Sequence, residues 1–214
     1  MANTMSEADL VASLKESLHD TAKVFTSEGG DADVEFKRFL LQALPDMQVK
    51  CPVTRLGTIT LQANFPRYAL GNGAPGFAAF KTQLWGDSGC RLKPWEDGYP
   101  GPVPRVNASF DANQWYLDFD PAPSARHMAY YGSNFQFWYF AAHAIGVDAV
   151  DTTVNAQDRG LLLLRAQVEA IRELAIRNAG KPVQLRDGFS GQPRNSTAAA
   201  LWKDLMDLFN KARS

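Results

Sequence analysis

The chain has 214 residues, 45% hydrophobic and 21% charged, enough to bury the core of one globular domain with an appendage. Its 22 basic and 23 acidic side chains leave a formal charge of -1, so no overall field draws it to nucleic acid or to an anionic membrane. No apolar stretch approaches the roughly 20 residues of a membrane helix, and no basic run precedes an apolar one at the N-terminus. The expectation is a protein that stays in the cytosol, or in a particle assembled there. Cys51 and Cys90 form no Cys-x-x-Cys pair, and a reducing compartment keeps both as thiols.

Ser6 and Asp9 resemble a capping box, and Leu10, Leu14, Leu18 and Phe25 share one arc of a 3.6-residue helix, predicting an amphipathic helix over 6–25. Gly29-Gly30 ends it. A second helix from about Asp33 buries Phe36, Leu40, Ala43, Leu44 and Met47, and Pro45 must kink or stop it. From Pro52 to about Phe119, Pro, Gly and Asn punctuate β-prone runs at Thr54 to Leu61, Phe80 to Trp85 and Gln114 to Phe119. Pro100, Pro102 and Pro104 favour an extended surface loop.

Met128 to Phe140 is the richest aromatic run, and both of its alternating sets are apolar in places. It is expected to form one long strand covered on both sides, by helices or by a neighbouring subunit. Tyr131, Phe135, Phe137 and Tyr139 are its candidate interface residues. A third helix runs over about 156–179, with Leu161, Leu164, Val168, Ile171 and Ala175 on one face, until Gly180 and Pro182 stop it.

Residues 181–195 have no apolar period and read as a linker or arm. Asn195 or Ser196 can then cap a short helix with Leu201, Trp202, Leu205, Met206, Leu208 and Phe209 on one side. Its other side carries Lys203, Asp204, Asp207, Asn210 and Lys211. Such a helix is marginal alone in water, so it must dock, on its own core or on another protein.

Chemistry is sparse in this sequence. Gly71-Asn-Gly-Ala-Pro-Gly76 spells Gly-x-Gly-x-x-Gly, with Glu96 downstream. Pro75 and the short segment 77–85 leave no room for the crossover helix of a dinucleotide site, so a loop between two strands is expected. His19, His127 and His143 have no second ligand at metal spacing, although Asp158 or Glu169 could approach them in the fold. Asp118 and Asp120 share a strand face and could serve acid-base or divalent-cation chemistry, or simply lie at a solvated sheet edge. Arg91, Lys93 and Trp95 interleave charge and aromaticity as single-strand platforms do, but three residues are too few. No catalytic, cofactor or metal residue is assigned, and no enzyme is expected.

The order of parts carries a resemblance. Leu10-Val-Ala-Ser-Leu-Lys-Glu-Ser-Leu18 leads to Asp33-Val-Glu-Phe-Lys-Arg-Phe-Leu-Leu-Gln-Ala-Leu44 and Pro52-Val-Thr-Arg-Leu-Gly-Thr-Ile-Thr-Leu61. Tyr68-Ala-Leu70, the segment from Phe77 to Gly86, the aromatic run and Asp158-Arg-Gly-Leu-Leu-Leu-Leu-Arg-Ala-Gln167 follow. Over residues 6 to 209 this resembles the head-to-tail connector, or adaptor, proteins of tailed bacteriophages. The resemblance implies an α+β fold: a helical core of three to four helices over 1–180, an antiparallel β region inserted at about 52–140, and a C-terminal arm over 181–214.

It further implies a virion protein assembled in the host cytoplasm as a ring of twelve copies beneath the portal. DNA would pass through without specific binding, no membrane would be involved, and no cofactor would be needed. Its partners would be the portal, gripped by the arm through Leu201, Trp202, Leu205, Met206, Leu208 and Phe209, other copies of itself, and the next tail or head-closure component. The competing readings are a small metal-dependent hydrolase using Asp118 and Asp120, and a cytosolic regulator that binds a partner helix.

Overall fold

The computed structural model describes residues 4–26, 32–86, 91–178 and 198–212. The fold is α+β, and its contacts divide the chain into two units. One joins Met1–Cys51 to His143–Ser214; the other is Pro52–Ala142.

The first unit is helical. Helix α1 (Glu7–Leu18) starts where the Ser6 side chain accepts from the Asp9 amide at 3.2 Å, and Leu10, Leu14 and Leu18 are buried along one stripe. The stripe does not continue as one helix to Phe25. His19, at φ 49°, ends α1, and a 3-10 turn leads into the short α2 (Ala22–Thr26). Helix α3 (Ala32–Lys50) is not stopped by Pro45, which lies inside it. Pro45 and Leu41, the residue four before it, are both exposed, so water can take the Leu41 carbonyl that proline leaves without a donor, and the helix continues. Phe25, Phe36 and Phe39 meet edge to face at 5.4–6.1 Å, the geometry that the ring quadrupoles favour.

Helix α5 (Arg159–Asn178) buries Leu162, Ala166, Ala170 and Ile171 against α1 and α3. It is also tied to α3 by charge. Arg38 bonds both Glu35 and Glu173, and Arg177 bonds Glu173 at 2.5 Å. Burial alone would raise the Glu173 pKa, but the two guanidinium groups outweigh it and hold the carboxyl below its ordinary value, while Arg38 is raised in turn.

Two histidines that the sequence left isolated are structural. His143 is buried, with Nε2 2.8 Å from the Cys51 carbonyl and its own amide donating to Gln48 at 3.0 Å. Since a carbonyl can only accept, Nε2 carries the proton.

The second unit holds two three-stranded antiparallel sheets. One has the order β1 (Val53–Thr60), β6 (Asn134–Ala141), β3 (Phe77–Gln83); the other is β2 (Arg67–Ala69), β5 (Gln114–Asp120), β4 (Arg105–Asp111). β4 was not foreseen. It joins β5 through a two-residue hairpin, Ala112-Asn113, both at positive φ, which is the backbone twist such hairpins require. The loop Gly71 to Gly76 does lie between two strands, opening with a short 3-10 turn.

Met128 to Phe140 is not one strand. Ser124 caps helix α4 (Ala125–Tyr131) with a box closed by His127, whose Nε2 also lies 3.0 Å from the Pro102 carbonyl. Gly132, at φ 87°, turns the chain into β6. Phe135, Phe137, Tyr139 and Ala141 then point inward, where Phe135 packs on Phe119 at 5.0 Å and Tyr139 on Phe77 at 5.5 Å. Burial raises the Tyr139 phenol, with nearby Arg55 acting against it. Gly57 lies opposite Phe137 in the register, and a Cβ there would meet the ring at 2.6 Å.

Candidate interaction surface

Helix α6 (Ala198–Lys211) has apolar residues over a wide arc, and the fold divides them into two sets. Leu205, Met206 and Phe209 turn toward the helical unit's core, Phe209 being only 2% exposed. The helix lies antiparallel to α5: Ala199 and Trp202 border a cleft with Arg172, Ala175 and Ile176, and Phe209 at the other end sits 5.9 Å from the Arg165 guanidinium.

Lys50, at the end of α3, closes the last turn of α6. Its Nζ donates to the carbonyls of Phe209, Asn210 and Ala212 at 2.6, 2.7 and 2.9 Å. A helix C-terminus presents orphan carbonyls and partial negative charge, so an ammonium there is favourable on both counts. Beneath it, Arg165 bonds Asp46 at 2.5 Å and Glu169 at 2.6 Å, while its Nη1 is buried with no partner among the described residues.

The remaining apolar residues face out. Leu208 is 59% exposed, and Leu201 and Trp202 are each 36% exposed. Leu201 and Leu208 are two turns apart on one side of the helix, while Trp202 borders exposed Ile176 of α5 across the cleft. So of the six arm residues read from the sequence, three are taken up by the subunit's own core and three are open to a partner. Linker residues 181–195 and the proposed cap at Asn195 or Ser196 lie outside the described residues.

The other predicted interface is corrected by the fold. Phe135, Phe137 and Tyr139 are wholly buried inside the β unit, where no partner can reach them, and Tyr131 is half-buried on α4, 5.4 Å from Trp85. The outward set is the opposite one. Trp138 faces Leu56 across the β1–β6 pair, both exposed, with Phe140 beside them beneath the Lys81 ammonium at 5.3 Å. The polar residues Asn134 and Gln136 were the available signal, since they alternate with the phenylalanines and mark the wetted side.

The chemical candidates are separated. Asp118 is engaged by the Ser109 hydroxyl and by Arg67 at 3.3 Å. It and Asp120 lie on β5, the middle strand of its sheet rather than an edge. Glu169 is paired with Arg165 and Arg172. Among the described residues no cluster of three or more His, Cys, Asp or Glu is placed to hold a metal, and no helix is long and apolar enough to cross a membrane. Trp95 is 78% exposed with Lys93 over its ring.

No family model and no curated protein matches this chain. Among solved structures, the chain is similar to one from the neck of an empty GTA particle computed with C6 symmetry, at 13% identity and a TM-score of 0.30, over 91% of this chain and 87% of that one. It is also similar to one from the neck of a native GTA particle computed with C12 symmetry, at 14% identity and a TM-score of 0.27, over 96% and 94%.

Proposed function

We propose that this chain is a non-enzymatic structural protein of a tailed-phage particle, an adaptor between the portal of the head and the tail. The observation that carries this reading is the divided helix α6. Phe209 and Lys50 fix it on the subunit, and Leu201, Trp202 and Leu208 are left as an apolar edge in water. Large apolar side chains held outward on a fixed helix are what a protein interface uses, with tryptophan a frequent anchor. The chain-long resemblance to phage adaptors supplies the partner: the portal meets the α6 edge.

In the same reading, copies form a ring of twelve through which DNA passes, and the outward face of β6, with Leu56, Trp138 and Phe140, meets a neighbouring copy or the next tail component. The near-neutral charge suits a conduit, because a strongly basic lining would hold the genome by its phosphates. The test is incorporation. Full chains carrying Leu201→Ser and Leu208→Ser should fold normally and be missing from purified heads. Normal incorporation of that variant ends the portal contact.

A further inference from the structure

Helix α6 begins beside the end of α5, since Ala199 borders Ala175 and Ile176. Closing that antiparallel turn needs only a short connection; helix hairpins in bundles use about 2–8 residues. The chain spends residues 179–197 on it, more than twice that length and up to roughly 60 Å when extended. A connection of that length neither forces α6 onto its own subunit nor is required to place it there.

The seat itself is specific. It offers an ammonium for the last carbonyls of α6 and a ring site for Phe209 between Lys50, at 4.9 Å, and Arg165. Nothing in those contacts depends on which copy supplies the helix. We propose that the seat formed by α3 and α5 accepts α6 of a second copy, so that neighbouring subunits exchange C-terminal helices. The exchanged contact repeats the intrasubunit one residue for residue, which is why such swaps cost little once copies are held close. It joins two different surfaces, the helix of one copy and the seat of the next, and therefore propagates head to tail, closing where the rotation allows a ring. The outward edge at Leu201 and Leu208 stays open in either arrangement. This inference deepens the self-association in the function proposed above and does not involve the portal contact, so it is tested on the purified chain alone.

Two full-length variants supply complementary halves. Phe209→Lys, whose cation Lys50 and Arg165 repel, leaves a vacant seat, and Lys50→Glu leaves an intact helix whose own seat repels it. Each alone should be monomeric by native mass spectrometry, and an equimolar mixture should give a heterodimer. A second pair, in a Cys51→Ala, Cys90→Ser background, carries Lys50→Cys on one copy and Asn210→Cys on the other, so that a disulfide can form only across copies. The expected result is a cross-copy disulfide that disappears when Phe209→Lys is added to the Asn210→Cys copy. A mixture that remains monomeric and yields no disulfide overturns the exchange. If the Phe209→Lys chain fails to fold, the disulfide between the Lys50→Cys and Asn210→Cys chains decides. Loss of head incorporation in the Leu201→Ser, Leu208→Ser chain with an intact cross-copy disulfide would separate the two proposals.

Discussion

The Lys50 ammonium sits 4.9 Å from the centroid of the Phe209 ring and donates to the Phe209 carbonyl at 2.6 Å, so one charge holds both the side chain and the main chain of the same turn. Phe209→Ala should therefore cost about 3–5 kcal/mol, the range for emptying a buried aromatic site. Lys50→Met should cost about 1–2 kcal/mol through the lost charged hydrogen bonds. Urea unfolding measures both, and a wild-type midpoint for Phe209→Ala would mean that α6 does not contribute to the core.

The outward edge of the same helix behaves oppositely. Leu201→Ser and Leu208→Ser remove side chains that are 36% and 59% exposed, so each should cost about 1 kcal/mol or less, well below the Phe209 change. Assembly, read as copies per purified head, should fall sharply. Equal loss of stability and assembly would make the edge a structural element only.

Glu173 gives the helical unit an acid dependence. Its folded pKa lies below the ordinary carboxylate value, because the Arg38 and Arg177 bonds outweigh burial. The stability it contributes is therefore complete above the unfolded carboxylate pKa and is lost as pH falls through the lower folded one. Wild type should lose more melting temperature between neutral pH and pH 3 than Glu173→Gln. The variant should be about 1–3 kcal/mol less stable at neutral pH, and the two curves should converge in acid. Parallel curves would show that the Arg38–Glu173–Arg177 group adds nothing.

Gly57 is required by a neighbour. A Cβ there would lie 2.6 Å from Cζ of Phe137, whose ring is fully buried. Gly57→Ala should cost about 1–3 kcal/mol by overpacking, and pairing it with Phe137→Leu should recover part of the loss. An unchanged denaturation midpoint in the single variant would show that the ring moves aside freely.

The α+β class and the core of α1 were legible, because Leu10, Leu14 and Leu18 repeat with the helical period; on α5 the face read from Leu161, Leu164, Val168, Ile171 and Ala175 lies to one side of Leu162, Ala166 and Ala170, which are the residues fully buried against α1 and α3. Strands flanked by Pro and Gly, such as β1 and β5, were legible for similar reasons. The aromatic run was misread because Tyr130 and Tyr131 look strand-like by composition, while the features that make 125–131 a helix are local: the Ser124 cap and a histidine at its third position, where Glu or Gln is the usual sign. The missed β4 has no large apolar side chain repeating on one face: four of its seven residues are exposed, and the three half-buried ones are Val106, Ala108 and Ser109. At the surface site, amphipathicity located α6, but only the packing could divide its apolar arc into Phe209, Met206 and Leu205 on one side and Leu201, Trp202 and Leu208 on the other. Ile176 of α5 went unnoticed because a lone apolar residue on a helix gives no hint of its neighbours.

The pairing of Val53 with Ala141, and of the Cys51 carbonyl with His143, places the start and finish of the β unit side by side. To the helical unit the whole segment is thus equivalent to a short bridge, whatever its size, because chain entropy depends on how far apart the two ends must be held and only weakly on what lies between. Residues 52–142 can therefore be lengthened or trimmed by engineering at little entropic cost to the helical scaffold.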